Sequence, residues 1–61
     1  MKAVMWMARV HLDNKTHEVP NLTADEARTL AETWMKAGVW IGDKLYPPST
    51  IIYAEVLEKE L

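Results

Sequence analysis

His11 and His17 bracket a short polar stretch that also holds Asp13 and Glu18. Imidazoles and carboxylates are the groups that hold divalent metals or move protons near neutral pH. A metal site needs several of them on one side of the chain. Residues 3–12 argue against that. Val4, Trp6, Ala8, Val10 and Leu12 share one parity, and Met5, Met7, Arg9 and His11 share the other. A period of two with β-branched and aromatic residues is a strand. Asp13-Asn14 tolerates the positive φ of a two-residue hairpin turn, with Lys15 to Val19 as the return strand. Leu12 then faces Lys15, Val10 faces His17 and Arg9 faces Glu18. Moving the turn to Asn14-Lys15 would pair His11 with Glu18 instead. Either register sends the two imidazoles to opposite faces. No metal is expected; His17 should be half-buried and His11 exposed.

Carboxylates also gather at Glu55, Glu58 and Glu60, and at Asp25, Glu26 and Glu32. A glycosidase-like pair needs two acids across a cleft, one with a raised pKa. A chain of 61 residues has little room for one, so a solvated acidic surface is expected. Cysteine is absent, which removes thiol nucleophiles, disulfides and Cys-based zinc sites. Ser and Thr stand near no His–acid set. Two glycines are too few for a glycine-rich phosphate loop. No catalytic residue and no cofactor is assigned, and the expectation is a protein that is not an enzyme. Trp40 and Tyr46 flank Gly42-Asp43 and are the candidate ligand-stacking residues, since loop aromatics can stack on a base or a small ligand. They can equally wedge under the loop. The core is expected for Trp40, and Tyr46 is open. An aromatic residue before proline also makes Tyr46-Pro47 a candidate cis bond.

The elements that carry these residues follow from local signals. Pro20 is expected to end the second strand, because it cannot donate to a ladder. Thr23 and Glu26 have the spacing of a capping box, with Leu22 and Ala27 as a hydrophobic staple. Ala27, Leu30, Ala31, Trp34 and Met35 then form one apolar stripe of a helix that reaches about Ala37, where Gly38 stops it. The opposite face carries Arg28, Glu32 and Lys36 at i+4 steps. Val39 to Tyr46, with Gly42-Asp43 as a turn, offers a further short hairpin whose pairing is left open. Thr50 to Leu57 is the closing strand.

The expected fold is α+β, a single small domain spanning 1–61. Its order is β-β-α-β, with a three-stranded, mainly antiparallel core sheet of order 2-1-3 and one helix on one face. A right-handed crossover lays the closing strand beside the first. The expected core is Val4, Trp6, Val10, Leu12, Val19, Leu30, Ala31, Trp34, Met35, Ile52, Ala54 and Val56. One helix covers only one face of such a sheet. Met5, Met7, Ile51 and Tyr53 are expected on the other face as a contact patch, and flexible Met and Tyr are common contact residues. Two uses are open: contact between molecules, which is the expectation, or cover by the 39–48 segment.

Bulk properties limit the partners. Seven basic and nine acidic residues give a net charge of −2, without the concentrated basic surface that nucleic acid needs. No apolar run is long enough to span a membrane. Arg9 interrupts the first apolar stretch too early for a secretory signal, so a cytoplasmic protein is expected. Apolar residues make up 49% of the chain, which excludes a disordered tail. A chain this short still buries only about 60% of its unfolded surface, so its stability margin is thin.

Glu18-Val19-Pro20, Asp25-Glu26-Ala27, Leu30-Ala31-Glu32 and Trp34 resemble the family of small phage-encoded inhibitors of host RNA polymerase, over residues 6 to 38. The resemblance implies a strand-strand-helix-strand domain that docks on a host protein without catalysis. It departs after Gly38: the family's arginine-bearing last strand is missing, and Lys44 is the only basic residue between 37 and 58. No binding residue is therefore carried over. Leu45-Tyr46-Pro47-Pro48 and Ile51 to Glu55 also resemble closing strands of small phage proteins. The functional expectation is a phage or prophage binding protein that docks on a host protein in the host cytoplasm and inhibits or modifies it. Met5, Met7, Ile51 and Tyr53 would serve self-association, a dimer first, and then the target. The alternatives are a homo-oligomeric sponge for a nucleotide-like ligand at Trp40 and Tyr46, and a minor structural component of a larger assembly.

Overall fold

A computed structural model of the chain describes residues 4–60. Ala3, the first residue of the sequence alternation, lies outside them. The alternating stretch forms β1 (Val4–Leu12), which turns at Asp13-Asn14 into β2 (Thr16–Leu22). The Leu12 amide donates to the Lys15 carbonyl at 2.8 Å, and Arg9 stands opposite Glu18. This is the register with the turn at Asp13-Asn14.

Pro20 does not end β2. The strand passes through it to Leu22, with a register shift and Asn21 at φ 62°. The sheet order explains the tolerance: β2 lies at the edge, where a missing N–H breaks no ladder. Asn takes the left-handed backbone of the bulge more readily than most residues.

The helix α1 (Ala24–Ala37) starts and stops as its sequence requires. Thr23 Oγ1 accepts from the Glu26 amide at 3.1 Å, and the Thr23 amide donates to Glu26 Oε1 at 2.9 Å. Two helix N–H groups that would otherwise lack partners are thereby satisfied. Thr23→Ala should cost about 1 kcal/mol, read as a lower urea midpoint with an unchanged slope. At the other end the Gly38 amide donates to Trp34 O at 2.9 Å, with Gly38 at φ 94°. On the solvent face Arg28 reaches back to Asp25 at 3.9 Å rather than forward to Glu32.

β3 (Val39–Ile41) and β4 (Lys44–Tyr46) form the further hairpin as a separate two-stranded sheet. A 3₁₀ turn at Pro48–Thr50 leads into β5 (Ile51–Glu60), so the closing strand starts one residue later and ends three residues later than expected. Among the described residues the peptide bonds are trans, Tyr46–Pro47 included, against the expectation of a cis bond there. β5 pairs antiparallel with β1, giving the order β2-β1-β5 with α1 over β1 and β5. The fold is α+β, a three-stranded antiparallel sheet with one helix and an added hairpin.

The core is Ala8, Val10, Leu12, Ala27, Trp34, Val39 and Ile51, and Trp6, Val19, Leu22, Leu30, Ile41, Tyr46, Ala54 and Val56 pack against it. Four expected core residues are corrected, the first being Ala31, which is only half-buried and outside the core cluster. Val4 and Met35 are exposed, Met35 at the flank of the apolar stripe. Ile52 is 61% exposed and Ile51 only 9%, the reverse of the parity expected. The cause is a register shift in the β1–β5 ladder: Val10 pairs with Ala54, but Leu12 pairs with Ile51. One residue is left over, and every side chain before it changes face.

Candidate functional site

The sheet face away from α1 is built from alternate residues of three strands. β1 supplies Met5, Met7, Arg9 and His11, β2 supplies Thr16 and Glu18, and β5 supplies Tyr53, Glu55, Leu57 and Lys59. The 39–48 segment does not cover this face. Val39, Ile41 and Tyr46 belong to the core on the helix side, and Trp40 lines a groove beside Trp34 and Leu30.

The centre of the face is charged. Arg9 Nε lies 3.6 Å from Glu18 Oε1, and Arg9 Nη1 lies 3.7 Å from Glu55 Oε2. His11 Nε2 donates to Glu55 Oε2. The His11 ring stacks on Tyr53, with centroids 4.1 Å apart and 23° between planes. Arg9 Nε is out of contact with water and makes no hydrogen bond, so its link to Glu18 is Coulombic. Partly exposed pairs of this kind each contribute about 0–1 kcal/mol. Their main effect is to hold the side chains in place. His11 is therefore half-buried and partnered, not exposed as expected.

Apolar side chains flank this centre. Met5, Met7 and Leu57 are half-buried on one side, with Met7 directly opposite Leu57. Tyr53, half-exposed, stands at the other end. Three of the four patch residues expected from sequence thus share the face. The fourth, Ile51, does not: it is buried in the core, for the register reason given above. Leu57 takes its place. It shares the parity of Tyr53, so the sequence carried the signal.

The two candidate stacking aromatics do not meet. In the β3–β4 register Trp40 faces Leu45, while Tyr46 faces Val39. Alternation puts Trp40 and Tyr46 on opposite sides of the hairpin. Trp40 is 63% exposed, which overturns its expected place in the core. It lines a shallow groove of about 310 Å³ with His17, Val19, Leu30, Thr33, Trp34 and Gly38. His17 is half-buried there, edge-on to Trp34 at 6.1 Å. A second groove of about 460 Å³ continues along α1 past Leu22 and Glu26. Tyr46 instead packs on the core and accepts a hydrogen bond from Lys15 Nζ at 3.0 Å. That bond holds the Tyr46 phenol below its ordinary pKa; desolvation opposes it, and the charges of Lys15 and Lys44 add to it.

Among the described residues no group of three or more His, Cys, Asp or Glu side chains is placed to hold a metal ion. No helix there is long and apolar enough to cross a membrane. No protein-family model, curated protein or solved structure matches the chain.

Proposed function

We propose that this chain is a non-enzymatic binding protein that docks on another protein through the open face of its three-stranded sheet. One observation carries the reading: the face places Met5, Met7, Leu57 and Tyr53 around a fixed charge centre of Arg9, His11, Glu18 and Glu55. Apolar contact area with an oriented polar centre is the composition of a protein interface. Polar groups already held in place lose little entropy on binding. The partner that fits is a protein surface with apolar side chains around a polar or charged group. Docking on a host protein is also what the resemblance to small phage inhibitors implies.

The sponge alternative has less support. Trp40 and Tyr46 face opposite ways, and the residues lining the Trp40 groove include no Lys or Arg to meet a phosphate.

Met7→Asp tests the docking reading. It puts a charge in the apolar part of the face and leaves the core untouched. Tagged wild type and variant are passed through bacterial lysate, and circular dichroism checks the fold. The expected result is one host complex retained by the wild type and lost with a folded Met7→Asp. Equal retention of that complex by both removes the sheet face as the docking surface.

A further inference from the structure

The two edges of the sheet are built differently. The Leu12 amide points at Lys15. Peptide groups alternate sides along an antiparallel strand, so even-numbered residues of β1 face β2 and odd-numbered ones face β5. In β2, the residues aimed at the open edge are then Thr16, Glu18 and Pro20. Pro20 has no N–H, and the bulge at Asn21 bends the ladder away. Proline and bulges are the ordinary means of closing an edge to further strands.

Beyond its register shift at Ile52, β5 has neither device. Tyr53, Glu55, Leu57 and Lys59 stand opposite odd-numbered residues of β1 and spend their peptide groups there. Ala54, Val56, Glu58 and Glu60 aim theirs at the open edge, where no strand of the described residues pairs. From Tyr53 to Glu60 the strand has neither proline nor register shift. A long, regular, unpaired edge is a template for another strand.

We propose that a second copy of this chain pairs antiparallel with β5 along this edge, making a six-stranded sheet with Leu57 on the two-fold axis. The charges choose the register. Peptide direction requires the axis to fall on a residue. On Glu55, it would set that carboxylate against its own copy. On Val56, it sets Lys59 against Tyr53 and Glu55 against Leu57. On Leu57, it sets Lys59 against Glu55 twice and Leu57 against Leu57. Within one chain Glu55 and Lys59 lie four residues apart on a strand, about 13 Å, so this pair forms only between copies. The charge centre has room for it: Glu18 and Glu55 share one fixed cation, Arg9. Opposite charges directly across two strands stabilise their pairing.

The helices agree with this arrangement. α1 lies over β1 and β5. With strands about 4.8 Å apart, the two helices stand about 10 Å apart across the axis, an ordinary packing distance. Met35, 45% exposed, lies on the flank of α1 away from the Leu22–Leu30 groove, so it faces this gap. The two open faces become one continuous surface. The docking reading does not depend on the dimer, and the dimer does not depend on docking.

The chain has no cysteine, so one introduced thiol reports one position. Leu57→Cys should give a covalent dimer on mild oxidation, because paired residues on the axis fall within disulfide reach. Thr16→Cys, at the protected edge of β2, should form no disulfide-linked dimer under the same conditions. Light scattering should give a dimer mass for the wild type. Lys59→Glu, an exposed change checked by circular dichroism, should raise the dimer dissociation constant roughly tenfold, and Lys59→Arg should not. A monomeric wild type that Leu57→Cys fails to cross-link overturns the proposal. So does a dimer that Met7→Asp breaks and Lys59→Glu leaves intact, which would put the contact on the open face instead.

Discussion

Trp34→Ala should leave most of the chain unfolded at room temperature. Trp34 is 5% exposed and joins the helix to the sheet core of Ala8, Val10, Leu12 and Ile51. His17 also packs edge-on against its ring. Cutting a buried Trp to Ala costs about 3–5 kcal/mol, the lost transfer energy plus the cavity left behind. A single core in a chain below about 70 residues rarely supplies more than 3–5 kcal/mol in total. The loss therefore matches the whole stability. No disulfide exists to hold the chain together. The far-ultraviolet helix signal at 25 °C should fall towards its value in urea. A cooperative thermal transition only a few degrees below the wild type would show that the core collapses onto the gap, and that helix–sheet packing depends less on this one side chain.

Gly38→Ala should be nearly as damaging, although it adds a single methyl group. Gly38 has φ 94°, a conformation that residues with a Cβ rarely adopt. A Cβ built there would lie 2.4 Å from Tyr46 O and 3.2 Å from Pro47 Cα. Both neighbours are backbone, so relief means moving the end of β4 away from the end of α1. That movement would disturb Val39, almost fully buried one residue later. Gly38 also has ψ −179°, a region nearly confined to glycine, so backbone strain alone costs roughly 1–3 kcal/mol, and the displaced packing should bring the total to about 3 kcal/mol or more. Gly42→Ala is the matched comparison. Gly42 has φ 66°, but no atom lies within 4 Å of its Cβ direction. It should lose only about 1 kcal/mol. Urea midpoints of the two variants decide the matter. Equal losses would mean that strain dominates and that the contact with Tyr46 relaxes freely.

The parts of this fold legible in the sequence are those controlled by neighbours along the chain. The capping box at Thr23 and Glu26 joins side chains and amides three residues apart, and it stands as written. The first hairpin was legible as one of two registers, and the structure takes the one that turns at Asp13-Asn14 and sets Arg9 against Glu18. Alternation in β1 placed Met5, Met7, Arg9 and His11 on one face. The main misplaced residues depend on where an element sits in the tertiary fold. Ile51 and Ile52 exchange faces because β5 slips by one residue against β1, and nothing local to β5 encodes the slip. Pro20 survives inside a strand only because β2 lies at the edge. Trp40 is exposed because β3 turns that parity outward while Val39 enters the core.

The candidate face divides the same way. Its β1 half could be read from parity alone. Its β5 half, and the grouping of Arg9, His11, Glu18 and Glu55, required the register of the β1–β5 ladder. The elements, their boundaries to within a few residues and the polarity of β1 are written in local hydrogen bonds and hydrophobic period. The sheet order follows from the handedness of the crossover. Tertiary structure alone decided which isoleucine enters the core, which side of the β3–β4 hairpin packs on it, and that Glu55 joins Arg9 and His11. Each depends on how segments distant in the chain meet, and in β5 a slip of one residue reverses the face.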